Sequence, residues 1–428
     1  MKKFIELKLR YWAKLILKKY QPAVIAITGS VGKTSTKEAI YSILKKEKRV
    51  RQSEKNYNNE IGLPLTIIGS YSPGKNIFGW IIIGFKVLWL LIVEDKNYPE
   101  ILILEMGIDK PGDMDYLTEI AKPIIGVATL VGSVHLEHFK NREALQAEKG
   151  KLISSIEKAG YAIINFDDEG TKKMAEKSEA RVISFGLSEN SVVSARNIHF
   201  NYDKENKLKG VGYELKYLGA RHRVELPNVI GLGAVYSSLA AICVGIIYNV
   251  NLDKVCEYLR DYKSPVGRLN VVEGIKHTSI IDDTYNSEPK SALLAVSALK
   301  IAKIDEGAKK YAVLGDMLEL GPVSVDSHRQ VGEYVAKSKI DKLVVVGERA
   351  KDIARSAKEN GMREEDVFAF DKSEEAGKFL QNRIKQNDLM LVKGSQGMRM
   401  EKIVLELMAE PLRAEELLVR QDKQWRGR

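Results

Sequence analysis

Residues 23–40 read AVIAITGSVGKTSTKEAI, and the order of residue types in that run decides the architecture. Ala23–Thr28 is a short apolar run, the pattern of a strand buried on both faces. Gly29–Ser30–Val31–Gly32 follows as a glycine loop, and Ser35–Lys46 has helical character. Strand, glycine loop and helix N-terminus, in that order, form a phosphate cradle. Loop N–H groups point at phosphate oxygens, the helix dipole favours negative charge, and Lys33 reaches the terminal phosphates. The hydroxyl of Thr34 is placed to ligate Mg²⁺. The general G-x-x-x-x-G-K-[ST] pattern wants glycine where this chain has Ile27, so the loop is a shorter variant. Gly-Lys-Thr directly after a buried strand is more than a glycine turn requires. Gly29, Ser30, Val31, Gly32, Lys33, Thr34 and Ser35 are therefore read as ATP-binding.

Further strands follow on either side of chemistry-bearing residues. Ile101–Glu105 and Ile124–Leu130 read as buried strands, then Tyr161–Asn165, then strand-like alternation from about 182 to 226 and an apolar helix over Asn228–Val250. Glu105 stands at a strand's C-terminal tip, the edge where α/β proteins bind ligands. His135 and His138 lie beyond the next strand, and Lys149 sits in a helix-like segment. Each has a plain structural explanation alone, as a cap, a solvated loop residue or a surface charge. Together, downstream of a phosphate loop, they fit a Mg²⁺–phosphate site.

From residue 263 the pattern becomes regular. Strands Ser279–Asp283, Tyr311–Leu314, Lys342–Val346 and Leu389–Val392 alternate with helices over 289–301, 327–338, 349–359 and 373–385. Such alternation implies a parallel sheet covered by helices. The expected fold is α/β, a P-loop-type central ATPase domain with a parallel sheet followed by a Rossmann-like C-terminal domain. The expected divisions are a basic helix in 1–22, a central unit over 23–262 and a C-terminal unit with a basic tail over 263–428.

The net charge of +10 is concentrated at the ends, with seven Lys/Arg against one Glu in residues 1–20. Without a reading motif, that distribution excludes nucleic acid as the expected partner. Residues 2–20 fit a basic amphipathic helix, either packed on the next domain or resting on an anionic membrane surface. Residues 77–93, IFGWIIIGFKVLWLLIV, are the most apolar stretch. At 17 residues the stretch falls short of the roughly 20 needed to span a bilayer, so it is read as a buried or membrane-resting hairpin helix. No signal peptide is read, and Cys243 and Cys256 read as buried apolar residues of a reducing compartment, so a cytoplasmic protein is expected.

The segments TGSVGKTSTKE, NYNNEIGLPLTI, LEMGIDKPGDMDYL, VGSVHLEHF, AEKGKLI, PVGRLNVV, IIDDTYNSEPKS, VLGDMLELG and LVKGSQGMRME run in order from residue 28 to about 401. Their combination resembles the Mur ligase family, most closely the MurF type, which joins D-alanyl-D-alanine to a UDP-N-acetylmuramoyl-tripeptide in peptidoglycan precursor synthesis. The resemblance implies that ATP phosphorylates a carboxylate and that an amine attacks the acyl-phosphate. It implies that Lys33 and Thr34 hold the γ-phosphate and a first Mg²⁺ with Glu105, and that His135 ligates a second Mg²⁺. Lys149 matches the family's carbamylated lysine, which gives a lysine beside Mg²⁺ a physical reason, because a carbamate attracts the metal. Arg268 and Asp283 match nucleotide-gripping residues, with Tyr285 and Asn286 on the same face. Asn58 and Asn59 match a substrate-facing loop, and Lys393, Gly394 and Ser395 a region near the incoming dipeptide. The implied partners are a muramyl-peptide precursor and D-alanyl-D-alanine, with the protein a monomer.

Two departures are visible. Only about 22 residues precede the phosphate-loop strand, so the family's front UDP-binding domain is expected to be absent and a lipid-linked acceptor becomes an alternative. The family's GxHNxxN stretch is here Gly231–Ser237, with Gly233 and Ser237 in place of the histidine and the adenine-contacting asparagine. Two further readings compete: a Mur-like ligase with another amino-acid or peptide nucleophile, and an ATP-binding membrane-surface scaffold without ligase activity. A P-loop kinase or GTPase is disfavoured by the regular second α/β unit.

Overall fold

The computed structural model describes residues 2–54, 57–132, 138–422 and 425. The chain opens with helix α1 (Lys2–Tyr20), whose Leu9, Ala13 and Ile16 are wholly buried. The amphipathic spacing read from sequence thus packs one face on the domain that follows.

The first sheet has nine strands: β1 (Ala23–Thr28), β2 (Val50–Gln52), β3 (Ile101–Glu105), β4 (Ile125–Ala128), β5 (Tyr161–Asn165), β6 (Arg181–Gly186), β7 (Val193–Tyr202), β8 (Leu208–Tyr217) and β9 (Ala220–Leu226). Their spatial order is β2-β3-β1-β4-β5-β6-β7-β8-β9. Strands β2 through β7 pair in parallel, and β7–β8–β9 close the sheet as an antiparallel meander. The alternating pattern of 182–226 is therefore four strands, the last three being the two-sided edge of an otherwise parallel sheet.

Helices α2 (Lys33–Leu44), α3 (Gly62–Ile68), α4 (Ile77–Ile92), α5 (Asp113–Ile120), α6 (Arg142–Ser154), α7 (Glu169–Ala175), α8 (Gly231–Ile247) and α9 (Leu252–Tyr258) cover the two faces. Ile40 and Ile43 of α2 join Leu239 and Ile242 of α8 in one core. Leu9, Leu63, Leu117 and Leu152, from α1, α3, α5 and α6, belong to the core on the opposite face. Helix α4 differs from the buried alternative: only Ile83, Val87 and Leu90 are buried, because one narrow stripe packs inward. Cys256 is also only half-buried, whereas Cys243 is buried as expected.

The second sheet runs β10 (Asn270–Glu273), β11 (Ser279–Asp283), β12 (Lys310–Gly315), β13 (Lys342–Val346), β14 (Val367–Phe370) and β15 (Leu389–Lys393), in the order β10-β11-β15-β12-β13-β14. Only β10 is antiparallel to its neighbour. Its helices are α10 (Pro289–Ile301), α11 (Ser324–Lys337), α12 (Lys351–Glu359), α13 (Ser373–Arg383), α14 (Glu401–Leu407) and α15 (Ala414–Leu417).

Asp282 is fully buried in β11. Its Oδ1 accepts from the Thr284 amide at 3.1 Å and hydroxyl at 2.6 Å, while Oδ2 has no partner. Burial pushes this carboxyl up from 3.8 to about 7. The folded state thus holds the proton more tightly, so stability is fullest below about 4 and is lost as pH rises toward 7. Thermal melts of wild type and Asp282→Asn should diverge across that window. The wild type loses up to about 1.4 kcal/mol per pH unit relative to the variant.

Candidate active site

The site lies where strand C-termini of both sheets face one another. Strand β1 pairs with β3 and β4, which sets Ile27 beside Glu105 and Thr28 beside Ala128. The loop Gly29–Gly32 therefore emerges between the ends of two neighbouring strands. Gly29 has φ 142°, and a Cβ there would sit 2.0 Å from the Thr129 hydroxyl, so no other residue fits without a rearrangement. Thr129 Oγ1 donates to the Val31 carbonyl at 2.6 Å, and Ser30 N–H donates to Leu130 O at 2.7 Å. These bonds pin the loop from the side of β4. The buried hydroxyls of Thr28 and Ser30 have no hydrogen-bond partner, polar groups held ready in the cradle.

Two ammonium groups converge on the loop. Lys33 Nζ donates to Gly29 O at 2.7 Å, and Lys149 Nζ donates to the same carbonyl at 3.4 Å. Burial lowers the pKa of Lys33, and the Arg268 charge lowers it further, against an opposing contribution from Glu105. Lys149, only 2% exposed in α6, is lowered to about 7 by burial and by Lys33. Around them, Thr34 Oγ1 donates to Glu105 Oε2 at 3.0 Å, and Asn58 Nδ2 donates to Glu105 Oε1 at 3.2 Å.

Among the described residues no group of three or more His, Cys, Asp or Glu is arranged to hold a metal. The protein-side oxygen donors are Thr34 and Glu105. They suit a hard cation such as Mg²⁺ that takes its other ligands from phosphate and water. His135 lies outside the described residues.

The second sheet presents its own edge. Strands β11 and β15 pair so that Asp283 stands beside Lys393, and the side chains form an ion pair at 2.6 Å. Lys393 Nζ also donates to Asn286 O at 2.8 Å. Arg268 stacks over the Tyr285 ring, 4.1 Å from its centroid. Ser395 turns elsewhere: its hydroxyl accepts from Leu318 N–H at 2.9 Å and donates to Ser287 O at 3.2 Å, a role in holding loops. Asn59 likewise uses its side-chain oxygen at the start of α3, accepting from Gly62 N–H at 2.9 Å. It still lines a pocket of about 310 Å³ with Glu6, Asp109 and Lys110. Ser237 is buried on α8 and accepts from Thr36 Oγ1 at 3.3 Å, which ties α8 to α2.

Sequence reasoning missed the residues that join the two units. Lys290 Nζ donates to Val131 O at 2.7 Å and pairs with Asp168 at 2.6 Å. Glu288 is buried against Gly132, where a Cβ would lie 2.1 Å from its Oε2. Burial raises the pKa of Glu288, opposed by Lys290, Lys33, Lys393 and Lys149. Nothing in the spacing of SEPKS marks these contacts, because their partners lie more than 100 residues away.

The structure thus groups Gly29, Lys33, Thr34, Asn58, Glu105 and Lys149 beside the first sheet, with Arg268, Asp283, Tyr285 and Lys393 beside the second. Residues 27–72 and 87–245 match the Mur ligase middle domain, and residues 267–396 match the Mur ligase, glutamate ligase domain. The UDP-N-acetylmuramoyl-tripeptide–D-alanyl-D-alanine ligase of Bacillus subtilis (strain 168) is 28% identical over 404 residues, covering 94% of this chain and 80% of that protein. The protein of the same name from Buchnera aphidicola subsp. Baizongia pistaciae is 30% identical over 390 residues, covering 90% and 75%. Among solved structures, MurF from Thermotoga maritima in complex with ADP superposes with TM-score 0.77 at 28% identity, covering 94% of this chain and 83% of that one.

Gly132→Ala should push Glu288 away and misalign the two edges. In steady-state ADP-release assays the loss is expected to reach about 10²-fold, the usual penalty for an ångström of misplacement.

Proposed function

The chain belongs to the Mur ligase family of ATP-dependent, ADP-forming ligases, and from that premise we propose that it joins D-alanyl-D-alanine to a muramyl-peptide carboxylate in peptidoglycan precursor synthesis. The observation that carries this reading is the convergence of Lys33 and Lys149 on the Gly29 carbonyl, opposite Arg268. Buried positive charge on that scale suits a polyphosphate and a developing acyl-phosphate. The carboxylate attacks the γ-phosphorus and ADP leaves. The dipeptide amine then attacks the acyl carbon, loses a proton, and phosphate departs as the amide forms. Lys33 and Arg268 hold phosphate oxygens, and Thr34 with Glu105 would hold Mg²⁺, which would neutralise phosphate charge. Asp283, Tyr285, Asn286 and Lys393 grip the nucleotide and the dipeptide side of the cleft, and Asn58 orients Glu105 and the acceptor.

Lys149 is read as carbamylated. A buried amine with a pKa near 7 is partly neutral at neutral pH and can add CO₂, forming the N–C bond and releasing one proton. The resulting negative charge would sit beside Lys33 and serve a second Mg²⁺ together with His135. A monomer, a cytoplasmic location and peripheral contact with an anionic membrane, without nucleic acid, complete the reading. The two cysteines are free, as a reducing compartment allows. No helix among the described residues is long and apolar enough to cross a membrane.

An ATP-binding scaffold without ligase activity is disfavoured, because pure binding needs no second, buried lysine bonded to the loop.

ADP release should require D-alanyl-D-alanine together with a muramyl-tripeptide; release independent of any added amine would remove the ligase reading. Lys149→Ala should lose about 10³-fold in rate and recover partly with short carboxylic acids. Because Lys149 protonates below about 7, activity should fall as pH drops through that value and be partly restored by bicarbonate.

A further inference from the structure

Helix α4 is unusual in what it leaves outside. Eight of its sixteen residues are bulky apolar side chains that stand exposed, among them Phe78 at 77%, Ile82 at 67% and Phe85 at 68%. They recur at helical spacing along its whole length, about 24 Å. Its single charged side chain, Lys86, turns back and bonds the Gly69 carbonyl. The helix is firmly placed despite this exposure. Asn76 accepts from the Phe78 and Gly79 amides at its start, while Lys19 Nζ donates to Leu90 O, Leu91 O and Val93 O at its end.

Helix α1 lies alongside, and the two flank one groove of about 550 Å³, lined by Phe4, Lys8 and Trp12 from α1 and by Ile81, Phe85 and Leu88 from α4. Phe4 and Tyr11 are exposed beside Lys3, Lys8 and Lys18. Of the other cations on α1, Arg10 and Lys14 pair with Glu119.

We propose that the α1–α4 face is a membrane-docking surface for an anionic lipid bilayer, with α4 lying in the interface and the α1 lysines on the headgroups. Three features select this occupant. An apolar strip rimmed by Lys and carrying Trp and Phe is the composition of interfacial helices. At 16 residues α4 is too short to span, so it lies along the surface. A second copy docking through this face would oppose two α1 helices, each with seven Lys/Arg against one Glu, and like charges would repel across the two-fold axis. A bilayer supplies both the apolar depth and the negative rim. The inference goes beyond the peripheral contact named above by assigning the surface, and it stands without the ligase reading.

The test uses the full chain, sedimented with phosphatidylcholine vesicles or with vesicles containing phosphatidylglycerol, at low and high salt. Binding to the anionic vesicles is expected to exceed that to neutral ones at least tenfold and to weaken with salt. Phe85→Glu and Ile82→Glu, both at exposed positions, should abolish sedimentation while leaving melting temperature and ADP release with soluble substrates unchanged. Tryptophan fluorescence should be quenched by brominated lipid in the wild type alone. No sedimentation with anionic vesicles at low salt overturns the proposal, as does sedimentation that the Glu variants retain. A dimer in solution that Ile82→Glu converts to monomer would also overturn it, assigning the face to self-association instead. Loss of ADP release in the wild type would bear on the ligase reading and leave the vesicle result standing.

Discussion

Two ammonium groups, half-buried Lys33 and buried Lys149, share the single carbonyl oxygen of Gly29. One neutral acceptor does not balance two ammonium groups, so the site leans on the nearby Glu105 and Glu288 carboxylates and suits an incoming anion. Much of the surrounding construction follows from that strain. The loop needs glycine at 29 because Thr129 occupies the space of a side chain. Lys149 answers by holding its proton loosely. Glu105 is kept close but held by Thr34 and Asn58 instead of pairing fully with either lysine.

The second unit completes the same balance from across the cleft. Glu288 and Arg268 bring charges of opposite sign toward Lys33, and Lys290 fastens the two units through Asp168 and the Val131 carbonyl. The pairing of Asp283 with Lys393 is of another kind. It follows directly from strand register, since the two residues end adjacent parallel strands. Polar groups at strand ends thus arrive by topology, and those on loops arrive by long-range packing.

That distinction explains what could be read from the sequence. The buried strands and the phosphate loop were legible because apolar runs and glycine spacing are local signals. Glu105, Lys149, Arg268 and Asp283 stand out through motif order, and the structure sets them around the cleft between the two sheets. The family resemblance implies substrate roles for Asn59 and Ser395, whose side chains bond helix α3 and neighbouring loops. A polar residue in a motif looks the same in sequence whether it faces a ligand or a backbone amide. Lys290, Asp168 and the Glu288–Gly132 contact left no trace because each depends on segments far apart in the chain. The 77–93 stretch was legible as apolar, but hydropathy alone does not say which side of a helix is covered.

Helix α4 also lies partly outside the middle-domain match. The middle-domain match stops at residue 72 and resumes at 87, so the first part of α4 falls in the gap. Besides the packing of Ile83, Val87 and Leu90, it is held by Asn76 at one end, Lys19 and Tyr20 at the other, and Lys86 on Gly69. None of these touches the phosphate loop. The inner stripe of α4 belongs to the domain core, while its outer face is free of the site. Changes on its exposed face would alter what the enzyme can touch and leave the geometry of the phosphate loop alone.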